Sequence, residues 1–567
     1  MAPNEIRPSA HPDLAAQVAL YETPRIITTL GYIHTAHCYA GSNCTLIEGE
    51  DGAVLVDTLT GEVPGDEAAA AFKEITDKPI KAVIVTHFHP DHVGGIFSFV
   101  AEEDIASGAV EVIGQKELTN NMLRDAGILK PIRNRRGPFQ SGGHLEYGKA
   151  GSYGSAVGAP PRPMGKSGFV DPTRTFEDLL ELEIAGIKLQ VIHVPSETDD
   201  QSVVWLPDEK VLISADAVQG KTFPNIYALR GTQFRNPMQW AKGLDVLREL
   251  RAEILIPHHG PTVEGADAVE ELLTAYRDAI QFLHDQSVRW INRGLTWDEL
   301  ADKVTMPEHL AGHPWLGEFY GSYKHSVRSV YAGYVGWFQG DAVELDPHPW
   351  RERAERYVRA MGGREAVLDN AREAIEQEDY RWAADVATWA VRADNDDMEA
   401  RRVKAQALRG WAYQQKNSTW RNWGLSQALE LEGELGEQRG GHKIQPGQAR
   451  NYPTGALLEM MTVRLIAEDA FDTHLTLGFT ASDTGENCGL EIRRGICQFH
   501  ETLPDSCNAT LSFKRSFLSD WVGGMADFEE GIDSGEVELT GDRSAIAAFF
   551  NKFEPAEGLG PFSLTVR

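Results

Sequence analysis

At 567 residues the chain is too long for one hydrophobic core, so roughly two to four domains are expected. A hydrophobic fraction of 42% and a charged fraction of 24% are those of ordinary globular protein. The formal charge of −30 argues against nucleic acid or an anionic membrane surface as partner, since either needs a basic face. The five cysteines (Cys38, Cys44, Cys488, Cys497 and Cys507) are odd in number and form no C-x-x-C pair, which fits a reduced, cytoplasmic chain. Glu5, Asp13 and Glu22 interrupt the first thirty residues, so no signal segment is expected, and no stretch approaches a membrane span.

Residues 1–24 read as a loose N-terminal arm. Residues 25–30, 44–48 and 52–57 are apolar and β-branched enough to be strands, and 61–76, with alanines and Phe72 on one face, reads as a helix. Lys81-Ala82-Val83-Ile84-Val85 is a short buried strand that stops where Thr86-His87-Phe88-His89-Pro90-Asp91-His92-Val93-Gly94-Gly95 begins. Three imidazoles and a carboxylate within six residues at a strand end are the donors a borderline divalent ion such as zinc prefers. Residues 120–173 are rich in Gly and Pro, with Arg133, Arg135 and Arg136 clustered and no clear period, as expected of a lid or pocket wall. Residues 182–184 and 187–192 alternate as a hairpin, and 202–206 and 211–213 continue a sheet. Residues 254–261 form one more strand, ending in His258-His259. Strands leading to helices, with the chemistry at strand ends, indicate a layered α/β catalytic domain over 25–266.

Residues 267–435 are helical and amphipathic, with a tandem helix-turn-helix pattern over 366–413. Its Trp382, Trp389 and Trp411 are expected to pack rather than to bind a ligand. Such a block offers a face for a second subunit. Residues 436–452 read as a linker, and 453–567 as a small α+β domain.

One loop supplies four ligands, whereas two ions that each keep a position for water need about seven. Three other strand ends carry candidate donors: His193 to Glu197, Asp216, and His258-His259. On these residues the chain resembles the metallo-β-lactamase superfamily and, within it, the alkyl sulfatase branch. A glutamate at position 197 points to that branch, since most of the superfamily has histidine there. The segment Asn225-Ile226-Tyr227-Ala228-Leu229-Arg230-Gly231-Thr232-Gln233, then Arg235 and Trp240, resembles the branch's sulfate-binding segment. Further matches are Tyr320 to Arg328, continuing to Gly336-Trp337, and Tyr357-Val358 with Met361-Gly362-Gly363 and Asp379-Tyr380-Arg381-Trp382.

The resemblance implies an αββα sandwich, an all-α dimerisation domain and a C-terminal α+β sterol-carrier-like domain, assembled as a homodimer. It also implies two zinc ions. The first would be held by His87, His89 and Glu197, the second by Asp91, His92 and a histidine of the 258/259 pair, with Asp216 bridging. Pro261 favours His258, while the superfamily's P-x-H pattern favours His259; His258 is the expected ligand. Asp216 stands where the branch has glutamate, and Gly260 where it usually has tryptophan.

The implied reaction is hydrolysis of a detergent-like alkyl sulfate to alcohol and sulfate by water whose pKa a zinc pair lowers to roughly 7. No formylglycine-type Cys-x-Pro-x-Arg motif is present. Arg230, His325 and Asp91 are the expected catalytic residues: Arg230 as the sulfate clamp, because its fork of donors fits a tetrahedral oxyanion, and His325 as general acid. Asn225, Tyr227 and Arg235 are expected beside them at the substrate. The rivals are a hydrolase of lactones, thioesters or phosphodiesters on the same frame, and a non-enzymatic lipid or sterol carrier.

Overall fold

The structure, a computed structural model, describes residues 6–436, 441–558 and 560–566. Two sheets face each other. The first has seven strands in the order β1 (Arg25–Thr29), β2 (Ile33–His37), β3 (Cys44–Glu48), β4 (Ala53–Val56), β5 (Ile80–Ile84), β6 (Glu111–Gln115) and β7 (Arg174–Phe176). The second has six: β8 (Leu179–Ile184), β9 (Ile187–His193), β10 (Ser202–Leu206), β11 (Val211–Ala215), β12 (Ile254–Pro257) and β13 (Val263–Glu264), paired in that order.

The period of two decides the layering. In β4, Val54 and Val56 point between the sheets to meet Val204, Ile213 and Ile256, while Ala53 and Leu55 face the helix Glu62–Lys73 through Ala68 and Phe72. The outer face of the second sheet, with Val203, Trp205, Leu212 and Leu255, is covered by the helices Pro237–Glu249 and Ala266–Ile291. Helix, sheet, sheet and helix form the expected αββα sandwich.

Strand direction gathers the chemistry. β4 and β5 are parallel, β11 and β12 are parallel, and β9 runs with β11 because each is antiparallel to β10. The C-terminal ends of these five strands therefore open at one edge of the sandwich. Two close approaches shape that edge: a Cβ on Gly94 or Gly95 would collide with the carbonyls of Thr60 and Thr58 respectively.

The arm is more ordered than its sequence suggests. Pro12–Val18 is helical, Leu14, Val18 and Tyr21 are buried, and Gln17 Nε2 donates to the carbonyls of Ala156 (3.0 Å) and Lys221 (3.1 Å). The 120–173 stretch contains a helix, Lys130–Ser141, whose apolar periodicity is hidden by its three arginines and by Pro138 inside it. Helices continue from Ala266 to Glu432, with the aromatic ring of Trp411 stacked on Trp420 at 5.9 Å. The linker expectation falls partly on residues 437–440, outside the described residues; Pro446–Ala449 is a helical turn. The C-terminal domain carries a five-stranded sheet: β14 (His474–Ala481), β15 (Asn487–Arg493), β16 (Ile496–His500), β17 (Ala509–Phe513) and β18 (Val537–Gly541), in the order β16-β15-β14-β17-β18. Among the described residues no helix is long and apolar enough to cross a membrane.

Candidate metal centre

β5 ends at Ile84, and the loop after it, carrying His87 and His89, turns into the short helix Pro90–Val93, whose single turn carries Asp91 and His92. Their donor atoms divide into two groups. In the first, His87 Nε2, His89 Nδ1 and Glu197 Oε2 converge, with separations of 3.0 Å (His87 to His89), 3.8 Å (His87 to Glu197) and 3.4 Å (His89 to Glu197). In the second, His92 Nε2 and His259 Nε2 lie 3.8 and 3.6 Å from Asp91 Oδ2. Asp216 stands between the groups, with Oδ1 3.4 Å from His92 Nε2 and Oδ2 3.3 Å from His259 Nε2. Except for Asp91, which is about one-third exposed, all of these side chains are buried.

His258, the expected ligand, does not face this cluster. Its Nδ1 lies 2.5 Å from Asp57 Oδ2 and its Nε2 3.3 Å from Thr45 Oγ1, so both ring nitrogens are engaged elsewhere. His259 donates Nδ1–H to Gly41 O at 2.8 Å, which leaves the Nε2 lone pair for an ion. Adjacent residues leaving β12 point to opposite sides, and it is His259 that turns inward. His193 also stays outside, with Nε2 at 2.7 Å from Asp199 O.

Asp57, at the end of β4, is the residue sequence reasoning missed. It adopts a left-handed φ of 59°, which aspartate tolerates, and accepts from Thr86 N (2.8 Å), Thr86 Oγ1 (2.8 Å), His92 Nδ1 (2.7 Å) and His258 Nδ1. A lone aspartate closing an apolar strand was the available signal. Burial alone would raise its pKa, but His92 and His258 outweigh burial and hold the carboxyl far below the usual range.

The electrostatics describe a shortage of positive charge. Burial, helped by Glu197, pushes Asp216 up to about 7. Burial disfavours the charged form of His92, yet Asp216, Asp57 and Asp91 raise its pKa to about 10; Asp216 and Asp91 likewise take His259 to about 9 against its burial. His87 lies well below its usual value, through burial and the neighbouring His92 and His89. In addition, His92 Nε2 and Asp216 Oδ1 are buried without a hydrogen-bond partner. These two orphaned atoms, with Asp91 Oδ2, Asp216 Oδ2 and His259 Nε2 separated from their neighbours by 3.3–3.8 Å, are all imidazole nitrogen or carboxylate oxygen and fit divalent cations.

The remaining expected residues separate. Arg230 reaches the cluster: Nη2 lies 3.1 Å from His89 Nε2, and its backbone N–H donates to Gln140 Oε1 at 2.8 Å. Arg235 meets the cluster through Glu197. It is buried and donates Nη1–H to Glu197 Oε1 (2.5 Å) and Asn225 O (2.7 Å). Burial would raise Glu197, but Arg235 and His89 hold it well below the usual carboxylate range. Arg235, expected beside the substrate, is thus paired with Glu197 of the donor cluster. Asn225 is buried, with its backbone N–H on Gln219 Oε1 at 2.7 Å.

A cavity of about 660 Å3 opens on Asp91, Glu197, Asp216, Arg230 and His259, on Gln140 and Gln219, which lie in no matched motif, and on Tyr320, which begins the Tyr320 to Arg328 match. Gln140 Nε2 donates to Tyr320 Oη at 3.1 Å, so one glutamine ties the lid helix to both Arg230 and Tyr320. Tyr227 and His325 line a second cavity of about 780 Å3, walled by Trp297, Trp411, Trp420 and Trp423. Between the two cavities run Leu229-Arg230 and the helix face carrying Arg136 and Gln140, joined where Arg136 donates to Leu229 O at 2.5 Å. His325 Nδ1 accepts from Trp420 Nε1 at 3.0 Å, burial brings its pKa down to about 3, and its Nε2 has no hydrogen-bond partner. A neutral imidazole with Nδ1 accepting carries its proton on Nε2. In this form His325, expected as general acid, offers an Nε2–H donor.

Residues 40–259 match the metallo-beta-lactamase superfamily, residues 296–434 the alkyl sulfatase dimerisation family, and residues 442–559 the alkyl sulfatase C-terminal family. The linear primary-alkylsulfatase of Pseudomonas sp. (strain ATCC 19151) is 41% identical over 531 residues, 92% of this chain and 100% of that protein. The (R)-specific secondary-alkylsulfatase of Pseudomonas sp. is 29% identical over 96% of this chain and 82% of its own length. Among solved structures, the stereoselective inverting sec-alkylsulfatase Pisa1 from Pseudomonas sp. superposes with a TM-score of 0.90 at 28% identity, over 96% of this chain and 87% of that one.

Proposed function

The chain belongs to the alkyl sulfatases of the metallo-β-lactamase superfamily, and from that premise we propose that it hydrolyses linear primary alkyl sulfates at a pair of zinc ions. The class, a sulfuric ester hydrolase acting on alkyl sulfates, follows from the family. The finer reading rests on this chain's residues. A single observation carries it: two groups of nitrogen and oxygen donors, all but Asp91 buried, converge beside one guanidinium in a cavity that also reaches Ile444, Tyr452 and Met460.

One ion would be held by His87, His89 and Glu197, the other by Asp91, His92 and His259, with Asp216 between them. Zinc would supply Lewis acidity there and bring the pKa of water into the neutral range. The chain's own groups do the rest. Asp57 accepts His92 Nδ1–H, and Gly41 O accepts His259 Nδ1–H, so each ring presents the lone pair of Nε2. Arg235 holds one oxygen of Glu197 and leaves the other turned to His87 and His89.

Arg230 takes the sulfate head. With His89 Nδ1 holding an ion, Nε2 would carry the proton and would no longer accept from the guanidinium. Arg230 then turns its paired donors to the anion, where charge grows as the ester bond breaks. Tyr320 accepts from Gln140 and so has its own O–H to donate toward the leaving oxygen at the same cavity wall. His325 contributes an Nε2–H hydrogen bond from the neighbouring cavity wall.

The protein acts as a homodimer through the helical block. Supporting this, the segment 334–361 leaves Trp337, Val343, Leu345 and Trp350 more than half exposed, an apolar face of the kind that a second copy covers.

The test is stripping with a chelator, reloading with zinc, and assaying dodecyl sulfate beside a lactone and a phosphodiester. Recovery of dodecyl sulfate hydrolysis at two zinc ions per chain is expected; full activity in the stripped protein, or preference for either other ester, overturns the reading. Hydrolysis in isotopically labelled water then locates the attack. The related secondary sulfatase Pisa1 is an inverting enzyme, and inversion is a property of carbon, so the label is expected in the alcohol.

A further inference from the structure

We infer that the C-terminal domain forms the end wall of the catalytic cavity, and that Met460 and Tyr452 set the length of alkyl tail the cavity accepts. The inference rests on the alkyl sulfatase reading and goes on to say what stops the tail.

The cavity that begins at Asp91, Asp216 and Arg230 ends against Ile444, Gln448, Tyr452 and Met460, all from the segment that precedes β14. None of these four is charged; Phe88, Met122 and Phe169 line the same cavity as its apolar part, while Lys130, Arg133 and Arg162 belong to its polar part. The wall is fixed to that apolar part. The Tyr452 ring stacks on Phe169 with centroids 5.2 Å apart, and its hydroxyl meets Met122 Sδ at 3.0 Å. Asn451 Nδ2 donates to Phe169 O at 2.5 Å. Met460 lies directly over the Gly127 backbone, where any Cβ would strike its sulfur. A single hydrophobic cluster runs from Phe88 and Phe169 through Tyr452 into the C-terminal sheet, so catalytic and C-terminal domains share one core here.

The C-terminal domain has its own interior filled. Phe528 is in ring contact with Phe479, Phe513, Phe517, Trp521 and Phe550 at centroid distances of 4.9–6.2 Å. A tail is therefore held against the outside of this domain's first segment, within reach of the metal cluster, and not inside its sheet.

A tail lying along this apolar part gains with each methylene buried, about fourfold in kcat/KM, until it meets the wall and the gain ends. Met460 is half-buried and flexible, so its replacement leaves the fold intact. The experiment measures kcat/KM for linear alkyl sulfates from hexyl to hexadecyl on the zinc-loaded full chain. Met460→Ala is expected to move the plateau to tails longer by about two methylenes, and Met460→Trp to shorter ones by a similar number, with hexyl sulfate unchanged within about twofold. Tyr452→Leu tests the same wall from the Phe169 side and lengthens the accepted tail.

Trp411→Leu, in the second cavity, should leave the profile alone. An equal loss at every length, an unmoved plateau, or a plateau that follows Trp411 instead of Met460 overturns the inference. Calorimetric binding of unreactive alkyl sulfonates of the same lengths separates the two readings. If wild-type protein hydrolyses no alkyl sulfate, the functional reading fails, while a binding plateau that moves with Met460 still upholds the wall.

Discussion

Asp57→Asn is a nearly isosteric change with a consequence worked directly from the hydrogen bonds. Asp57 Oδ1 accepts from Thr86 N, and Oδ2 accepts from Thr86 Oγ1, His92 Nδ1 and His258 Nδ1. An asparagine that keeps its oxygen on Thr86 N places an NH2 donor against two imidazole nitrogens. His92 can then meet it only by accepting at Nδ1, which moves the ring proton to Nε2 and removes the lone pair proposed for the ion. The flipped amide instead leaves the buried Thr86 N–H facing a donor, at a cost of about 1–3 kcal/mol. Either way affinity for the ion at His92 should fall by about 10–100-fold, the usual loss on removing the group that orients a ligating histidine, or about 1.4–2.8 kcal/mol. Competition with a chromophoric chelator reads this directly, and the weaker site should be the one containing His92. Two ions bound as tightly in Asp57→Asn as in the wild type would refute the tautomer argument.

Other expectations follow from the same geometry. His259→Ala should bind about one ion fewer per chain by elemental analysis, whereas His258→Ala should keep the full complement and lose stability through its bond to Asp57. Arg230→Ala should retain its metal and lose about 10²–10³-fold in turnover, as when one donor to a developing oxyanion is removed; an unchanged turnover with dodecyl sulfate would remove the clamp. In the metal-free protein His92 and His259 titrate at about 10 and about 9, above the ordinary 6.5. Their contribution to stability is whole below pH of about 6.5 and is lost as pH rises through 9 and then 10. Zinc-loaded protein uses those lone pairs otherwise, so the difference in Tm between loaded and metal-free forms should widen from pH 6.5 to 10. A Tm of the metal-free form that is flat across that window would count against the cluster.

The chain itself determined the local parts. The H-x-H-x-D-H run after an apolar strand declared metal ligands, because so many donors at one strand end have no other common use. Alternation over residues 182–192 marked the β8–β9 hairpin, and Glu197 with the Asn225–Arg230 segment pointed to the sulfatase branch. Folding decided what depends on direction in space. Neighbours in sequence leave a strand on opposite sides, so only the closed sandwich separated His259, turned to Asp216, from His258, turned to Asp57. Arg235 read as a substrate residue, and only the fold buried it against Glu197. His325 kept its place in the motif, while its bond to Trp420 and its burial came with the fold. The joining of Tyr452 to Phe169, 283 residues apart, left no periodic trace at all. Periodicity records the face a residue presents to its own element; which distant partner meets that face is settled only when the layers close.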